Sequence, residues 1–333
     1  MLAAMAMAHP AHAVETSGTA HAAVGGGYDS NPGRDLDGLA QGDGLLVGTL
    51  QLEGALTPAE GSASLSGHYD LGAKRFFTLS EDDLVAQGAD VEASGQVGPL
   101  TLGVDGRAKD KRSRGDDRDY TDLAAGALGA GRAGKVPLRL DLGVERFIYH
   151  PDPEYDFTGP TLAFSVTVPL FAKQRLVLAL SGSLRGYDPA SRDGSGQVRA
   201  DRTGGAGLTW RYRGKVLGEL GYDFLADGSN QFGRSYQRHR LSGSVALFLP
   251  FQIALAAQGA LQRTRFPDGV ALSPELLLAT DDESTNSLSV SLSRELPAGL
   301  LVELQAAGYQ ADYATNGLHY HRATVELRLG WQY

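Results

Sequence analysis

The chain has 333 residues, of which 42% are hydrophobic, and a formal net charge of −9 at pH 7. The negative charge argues against a nucleic-acid binder that relies on phosphate attraction, and the absence of cysteine excludes disulfide bonds. No run of apolar residues approaches the roughly 18 that a membrane-spanning helix needs. A membrane protein of this composition would have to cross the bilayer with alternating strands.

The first thirteen residues have features of a processed leader. Ala11-His12-Ala13 fits the small-x-small cleavage site of a secretory signal peptide, although the apolar stretch before it is short and lacks a basic start. We therefore interpret residues 1–13 as the remnant of a signal peptide and residues 14–333 as one domain. The alternative is an alanine-rich disordered tail.

The segment GGGYDSNP at 25–32 carries a family resemblance. It resembles the first strand and first loop of a group of outer-membrane β-barrels. That group comprises exopolysaccharide-export porins, of the poly-N-acetylglucosamine and cellulose type, and the barrel domain of surface lipoprotein assembly modifiers. The resemblance implies a barrel of about 16 strands and the transport of a surface polymer. The alternative is structural: Gly25 to Gly27 let strands approach closely, and Asp29 to Pro32 form a turn.

Two kinds of break alternate along the rest of the chain. The short breaks contain proline or glycine, which do not fit a strand interior: Pro58, Pro99, Pro137, Pro169, Gly214, Pro250 and Pro297. The longer breaks are charged and rich in Asp, Asn, Gly and Tyr, and lie at 28–38, 78–83, 109–119, 149–156, 187–196, 226–234, 266–275 and 314–317. Outer-membrane barrels have this asymmetry, with short periplasmic turns and longer external loops. The pattern predicts an all-β, up-and-down, antiparallel transmembrane barrel of about 16 strands.

Between the breaks, apolar and polar residues alternate with a period of two. In RLVLALSGSLR, Leu176, Leu178 and Leu180 share one face, whereas Ser181 and Ser183 share the other. In a soluble sandwich the polar faces would point outward, and in a barrel they point inward onto water. The barrel interpretation therefore makes the charged members of these faces candidate lumen-lining residues: Arg185, Arg211, Glu219, Asp223, Arg238, Arg240, Glu303, Glu326 and Arg328.

The segment VELRLGWQY at 325–333 alternates up to its last residue and ends with Trp331 and Tyr333 on the apolar face. It resembles the C-terminal assembly signal of outer-membrane barrels, which usually ends in Phe. We interpret Trp331 and Tyr333 as that signal, since amphipathic rings settle at a membrane–water boundary. The alternative is an edge strand of a soluble sandwich.

Signals for catalysis or metal binding are weak, so we predict no enzyme activity, no cofactor and no metal site. A lipid hydrolase needs a serine–histidine pair with an orienting third group, whereas His68 is expected in the lumen and His319 and His321 at the rim. The run 107–118 is interpreted as a solvated loop. Three acidic clusters lack the spacing of calcium ligands and are interpreted as solvated charge: Glu81-Asp82-Asp83, Asp116-Asp117-Asp119 and Asp281-Asp282-Glu283.

These features predict an outer-membrane channel or export conduit of a Gram-negative bacterium, with a water-filled, mixed-charge lumen for polysaccharide or another surface polymer. The longest loop is expected to have about 15 residues, too short to constrict such a lumen alone. The expected partners are outer-membrane lipid and lipopolysaccharide, the barrel assembly machinery, and periplasmic export or envelope-machine proteins. Nucleic acid is not expected. The alternative function is a non-conducting structural barrel that anchors a cell-envelope machine.

Overall fold

The computed structural model describes residues 14–35, 38–58, 63–115, 118–268, 286–313 and 318–333. The predicted signal-peptide remnant, residues 1–13, lies outside these ranges and stays a prediction. The acidic residues 116–117 and 281–283 and the side chain of His319 also lie outside the description. Within the described ranges, no helix has both the length and the apolar character needed to cross a membrane.

Sixteen antiparallel strands follow one another and form one closed barrel, in which each strand pairs with its neighbours in sequence and β1 pairs with β16. This confirms the predicted barrel. The soluble sandwich is wrong, because the sheet closes on itself. The strands are β1 Val14–Asp29, β2 Asp43–Pro58, β3 Ala63–Phe76, β4 Leu84–Val97, β5 Leu100–Ser113, β6 Tyr120–Ala133, β7 Val136–Tyr149, β8 Phe157–Phe171, β9 Gln174–Tyr187, β10 Ala200–Arg213, β11 Val216–Ser229, β12 Tyr236–Leu249, β13 Ile253–Arg265, β14 Asn286–Leu296, β15 Leu300–Tyr313 and β16 Leu318–Gln332.

Short turns and long loops alternate as the sequence predicts, with one difference: residues 109–113 belong to β5 rather than to a loop. Most of the connection between β13 and β14 lies outside the described residues, so the expected length of the longest loop stays a prediction. Several short turns use backbone conformations that suit glycine, as at Gly98 with φ 61° and Gly134 with φ 63°. All short turns meet at one end of the barrel and all long loops at the other.

The strand register sorts the side chains into two faces. Leu180 and Leu327 lie on the outer face and are 58% and 57% exposed. Among strand residues with described side chains, the outer face carries only eight Asp, Glu, Lys or Arg residues. The inner face carries most of the charge, and ion pairs cross it between strands that are not neighbours, as from Lys74 on β3 to Glu326 on β16. The fold is therefore apolar outside and polar inside.

The seam between β1 and β16 depends on close backbone approach. A Cβ atom added to Gly25 or Gly27 would overlap the carbonyl oxygen of Leu327 or Val325 on β16. Above the glycines, Asp29 is fully buried and accepts hydrogen bonds from the Arg322 guanidinium at 2.5 to 3.0 Å.

Asn31 completes this closure on the long-loop side. Its side-chain amide donates to the backbone carbonyls of Asp35, at 2.8 Å, and His321, at 3.2 Å. The GGGYDSNP segment therefore holds the first strand against the last, which gives its glycines, aspartate and asparagine a structural role.

Candidate channel lumen

All nine candidate lumen residues lie on the inner face of the barrel, but in separate groups. Three of them, Glu303, Glu326 and Arg328, form a chain of charges on β15 and β16. Arg328 pairs with Glu326 and lies 3.9 Å from the carboxylate of Glu303. Lys74 donates to Glu326 at 2.9 Å from across the β1–β2 hairpin. Glu326 is 3% exposed, so this carboxylate neutralises two cations and fixes the inner wall near the seam.

The wall formed by β10, β11 and β12 holds five more of the candidates. Arg211 on β10 donates to Glu219 on β11 at 2.7 Å. Asp223 on β11 lies opposite Arg240 on β12 in the register, and Arg238 precedes Arg240 on the same face. These three residues line a cavity of about 420 Å³, so this part of the wall carries more positive than negative charge.

A cavity in another part of the wall is acidic. Glu53, Asp90, Glu92 and Asp105 line a cavity of about 660 Å³, in which Arg139 is the one arginine. Arg139 donates to Glu92 at 3.2 Å. The lumen therefore has an acidic cavity lined by β1 to β5 and β7, and a cavity with an excess of positive charge lined by β9 to β12.

His68 lines the acidic cavity, as the sequence predicts for its face. It pairs with Asp70 and lies 3.6 Å from the carboxylate of Glu53. His321 instead lies on the outer face near the long loops. Among the described residues, no group of three or more His, Asp or Glu side chains is arranged to hold a metal ion.

Three luminal cations on β5 are not predicted by the sequence patterns. Arg107, Lys109 and Lys111 were interpreted as part of a solvated loop, but they lie on the inner face of a strand. Their spacing of two residues is the signal that would have placed them there. Lys109 and Lys111 lie 5.6 and 5.8 Å from the ring centre of Tyr120 on β6. Mixed charges can follow one another in such a strand because every second side chain reaches luminal water.

An aromatic band, which we define as Tyr120, Phe147, Phe157 and Tyr187, lines the inner face at the long-loop end. The rings belong to four consecutive strands, and their centres are 5.3 to 5.4 Å apart. The candidate Arg185 lies over Phe157, at 4.6 Å from the ring centre. Three of the four rings are at most 8% exposed, so the band is packed against other groups and does not face open water.

Long loops pack over this band. The loop 150–156 places Tyr155 edge-on against Tyr149 at 5.7 Å, and Arg234 of the loop 230–235 lies over Tyr155. The loop 188–199 places Arg199 over Tyr187 at 4.1 Å and pairs it with Asp201. These loops narrow the long-loop end of the barrel on the side of β6 to β12.

A second group of loops is joined by Arg118. Its guanidinium donates to the carbonyl of Gly33 at 2.7 Å and to Asp82 at 3.3 Å, and so links three loops. Asp119, which was interpreted as solvated, is 5% exposed and accepts hydrogen bonds from the backbone and hydroxyl of Ser113. The carboxylate of Asp82 therefore joins loops to one another, and that of Asp119 holds a loop to the end of β5.

The turn at 193–197 also depends on a carboxylate. The hydroxyl of Ser195 and the backbone N–H groups of Gln197 and Ser195 donate to Asp193 and hold the pKa of this carboxyl below its ordinary value. The carboxylate thus stays ionised to lower pH than a free aspartate and keeps the turn intact there.

Comparison with known proteins identifies the fold but no sequence family. No family model and no curated protein matches the chain. Salmonella typhi OmpF, solved in complex with daunomycin, is 11% identical, with 97% of this chain and 98% of that chain covered and a TM-score of 0.56.

Two further solved structures are similar at lower scores. The outer membrane protein OpdK of Pseudomonas aeruginosa is 10% identical, covers 96% of this chain and 99% of its own, and has a TM-score of 0.48. A bacterial polysaccharide outer membrane secretin is 9% identical, covers 94% and 98%, and has a TM-score of 0.47. At such identities the likeness to OmpF concerns the fold alone, and the chain has the fold of a porin-like outer-membrane barrel.

Proposed function

We propose that the protein is an outer-membrane channel with a water-filled, mixed-charge lumen, and that it is not an enzyme. The distribution of charge between the two faces carries this proposal. An apolar outer face suits hydrocarbon, in which unpaired polar groups are costly, and a closed sheet leaves no unpaired strand edge there. The inner face combines ion pairs with cavities of about 420 to 720 Å³. A charged surface with such cavities is suited to contact with water.

The same charge distribution supports a location in the outer membrane of a Gram-negative bacterium, with the long loops outside and the short turns in the periplasm. Trp331 lies on the outer face at the short-turn end, 45% exposed and stacked on Tyr333 at 5.7 Å. Both rings are positioned for a membrane boundary. We propose that they are also the signal bound by the barrel assembly machinery.

The cargo that we propose is a polysaccharide or another surface polymer, delivered by periplasmic export proteins. A cavity of about 720 Å³ supports this, because Ser289, Ser291, Gln258 and Gln305 line it together with charged groups. Hydroxyl and amide side chains both donate and accept hydrogen bonds, as the hydroxyl groups of a sugar chain require. Oligosaccharides added on the short-turn side should block the ionic current transiently. A current that shows no such blocks would contradict a polymer cargo.

Charge reversal in the lumen provides the test of conduction. Arg238→Glu combined with Arg240→Glu should shift ion selectivity toward cations, because both arginines line the cavity beside Asp223. The measurement is the reversal potential of purified protein in a planar bilayer across a salt gradient. The matched control replaces both arginines with glutamine, which changes the charge half as much and should shift the potential in the same direction but less far. An unchanged potential in both variants would show that the ions do not pass these arginines, and would contradict conduction through the lumen that they line.

The alternative is a non-conducting barrel that anchors an envelope machine. The loops that pack over the aromatic band favour it, because Tyr155, Arg199 and Arg234 narrow the long-loop end. A correctly folded barrel that passes no current in any variant would support this alternative over the channel.

A further inference from the structure

Most arginines of the outer face lie at one end of the barrel. Six lie at the long-loop end, each within three residues of the end of its strand: Arg75, Arg112, Arg146, Arg202, Arg263 and Arg265. We call them the arginine belt. All six are exposed. At the short-turn end, Arg294 is the single charged residue on the outer face among strand residues with described side chains.

The belt lacks internal compensation. Asp110 is the one acidic residue on the outer face among the described side chains, and it pairs with Arg112 at 2.8 Å. Arg75, Arg146 and Arg202 have no ion-pair or hydrogen-bond partner within the described part of the chain. They lie on three well-separated strands, β3, β7 and β10. Uncompensated positive charge therefore lies at several points along the long-loop end of the outer face, between β3 and β13.

The neighbours of these arginines are apolar. In the register, Arg75 lies opposite Leu46, and Arg202 lies opposite Leu184. Leu46 and Leu184 are outer-face residues that are 52% and 53% exposed. A guanidinium beside such residues lies at the boundary between apolar surface and water, where its stem covers apolar surface and its head reaches polar groups.

Polar groups extend the belt at β11 to β13. Arg263 lies opposite His239, and His239 forms a 2.8 Å hydrogen bond with the hydroxyl of Tyr222. All three residues lie on the outer face. This part of the outer face offers guanidinium, imidazole and hydroxyl groups on neighbouring strands.

We propose that the arginine belt binds the phosphate groups of a phosphorylated glycolipid in the outer leaflet, of the lipid A type. The forked guanidinium matches a phosphate in shape and charge, and the apolar surface below it takes acyl chains. An ordinary zwitterionic lipid would leave the net positive charge uncompensated. The inference rests on the proposed membrane location of the barrel, and it is independent of whether the lumen conducts.

Lipid retention in detergent tests the proposal. The belt variant combines Arg75→Gln, Arg146→Gln and Arg202→Gln in the full chain. The control combines Arg211→Gln, Arg238→Gln and Arg240→Gln, which removes the same charge from the inner face. Purified proteins are mixed with lipid A, and retained lipid is quantified by native mass spectrometry. Because each cation near an anionic surface adds to binding, the belt variant should retain lipid A at least about tenfold less, and the luminal control should retain it as the wild type does.

Two further comparisons make the outcome decisive. Dephosphorylated lipid A should be retained weakly by all proteins, and inorganic phosphate at millimolar concentration should not displace lipid A from the wild type. Equal retention of lipid A by the belt variant and the wild type would overturn the proposal. It would also be overturned if the wild type retained dephosphorylated lipid A as well as it retains lipid A. Displacement by inorganic phosphate would replace it with a site for the free ion. A heat-modifiable band on electrophoresis must first show that each variant is folded. A folded barrel that binds lipid A but conducts nothing would contradict the channel alone.

Discussion

Adding a methyl group at both seam glycines, Gly25→Ala with Gly27→Ala, should prevent closure of the barrel. Each added Cβ would overlap a backbone carbonyl oxygen of β16, at Leu327 and at Val325. A flexible side chain can move aside, but these carbonyls belong to the strand that must pair. The β1–β16 register comprises nine residue pairs, and forcing the strands apart removes hydrogen bonds that a membrane offers no water to replace. We expect a loss of several kcal/mol and little folded protein.

The matched control is the double variant Gly48→Ala with Gly204→Ala. Both glycines lie within strands of the same sheet, and an added Cβ at either would meet nothing within 4 Å. This variant should fold as the wild type does. The measurements are heat-modifiable mobility on electrophoresis and the urea midpoint in lipid vesicles. Equal folded yields for the seam variant and the control would show that the close approach at Gly25 and Gly27 is not required for closure.

The seam between β1 and β16 is only partly predictable from the sequence. The glycines were recognised as sites of close approach, and Asp29 and Asn31 as turn residues. The pairing of the first strand with the last follows from barrel closure. The contact between Asp29 and Arg322 does not follow from it, because the two residues are 293 residues apart in the chain. Nothing local to either residue indicates that their side chains meet in a buried pair.

The repeating features of the fold were predictable because they are local. Alternation with a period of two placed Leu178 and Ser181 on opposite faces, and prolines and glycines marked the turns. A break at each strand end then gave the number of strands. The closed order follows from that number, because a spanning sheet cannot leave an edge unpaired.

The error at 107–113 has a physical reason. A half-buried strand of a soluble protein rarely carries cations at three alternate positions. The charge of Arg107, Lys109 and Lys111 therefore indicated a loop. In a wide barrel the inner face meets water and opposing carboxylates, and such a strand is stable. The packing of loops over the aromatic band was equally hidden, because it brings together residues from separate loops and strands.

Leu178→Arg should destabilise the folded barrel by about 2–4 kcal/mol, the penalty for arginine on the lipid face near the middle of the membrane. Leu178 lies on the outer face of β9, 45% exposed, and its register partner on β10 is Leu208. Both leucines would contact hydrocarbon, which cannot solvate a guanidinium. Leu208→Arg should therefore have a similar effect, and the measurement for both is the urea midpoint in lipid vesicles.

The control is Ser181→Arg, three residues further along the same strand. Ser181 lines the luminal cavity with Asp223, so a guanidinium there reaches water and a carboxylate, and the barrel should lose little stability. The two variants add the same side chain to the same strand and differ only in the face that carries it. Equal destabilisation would contradict the assignment of lipid-facing and water-facing surfaces. The proposed channel would then lose its basis, because an apolar outer face around a wetted lumen is the observation on which it depends.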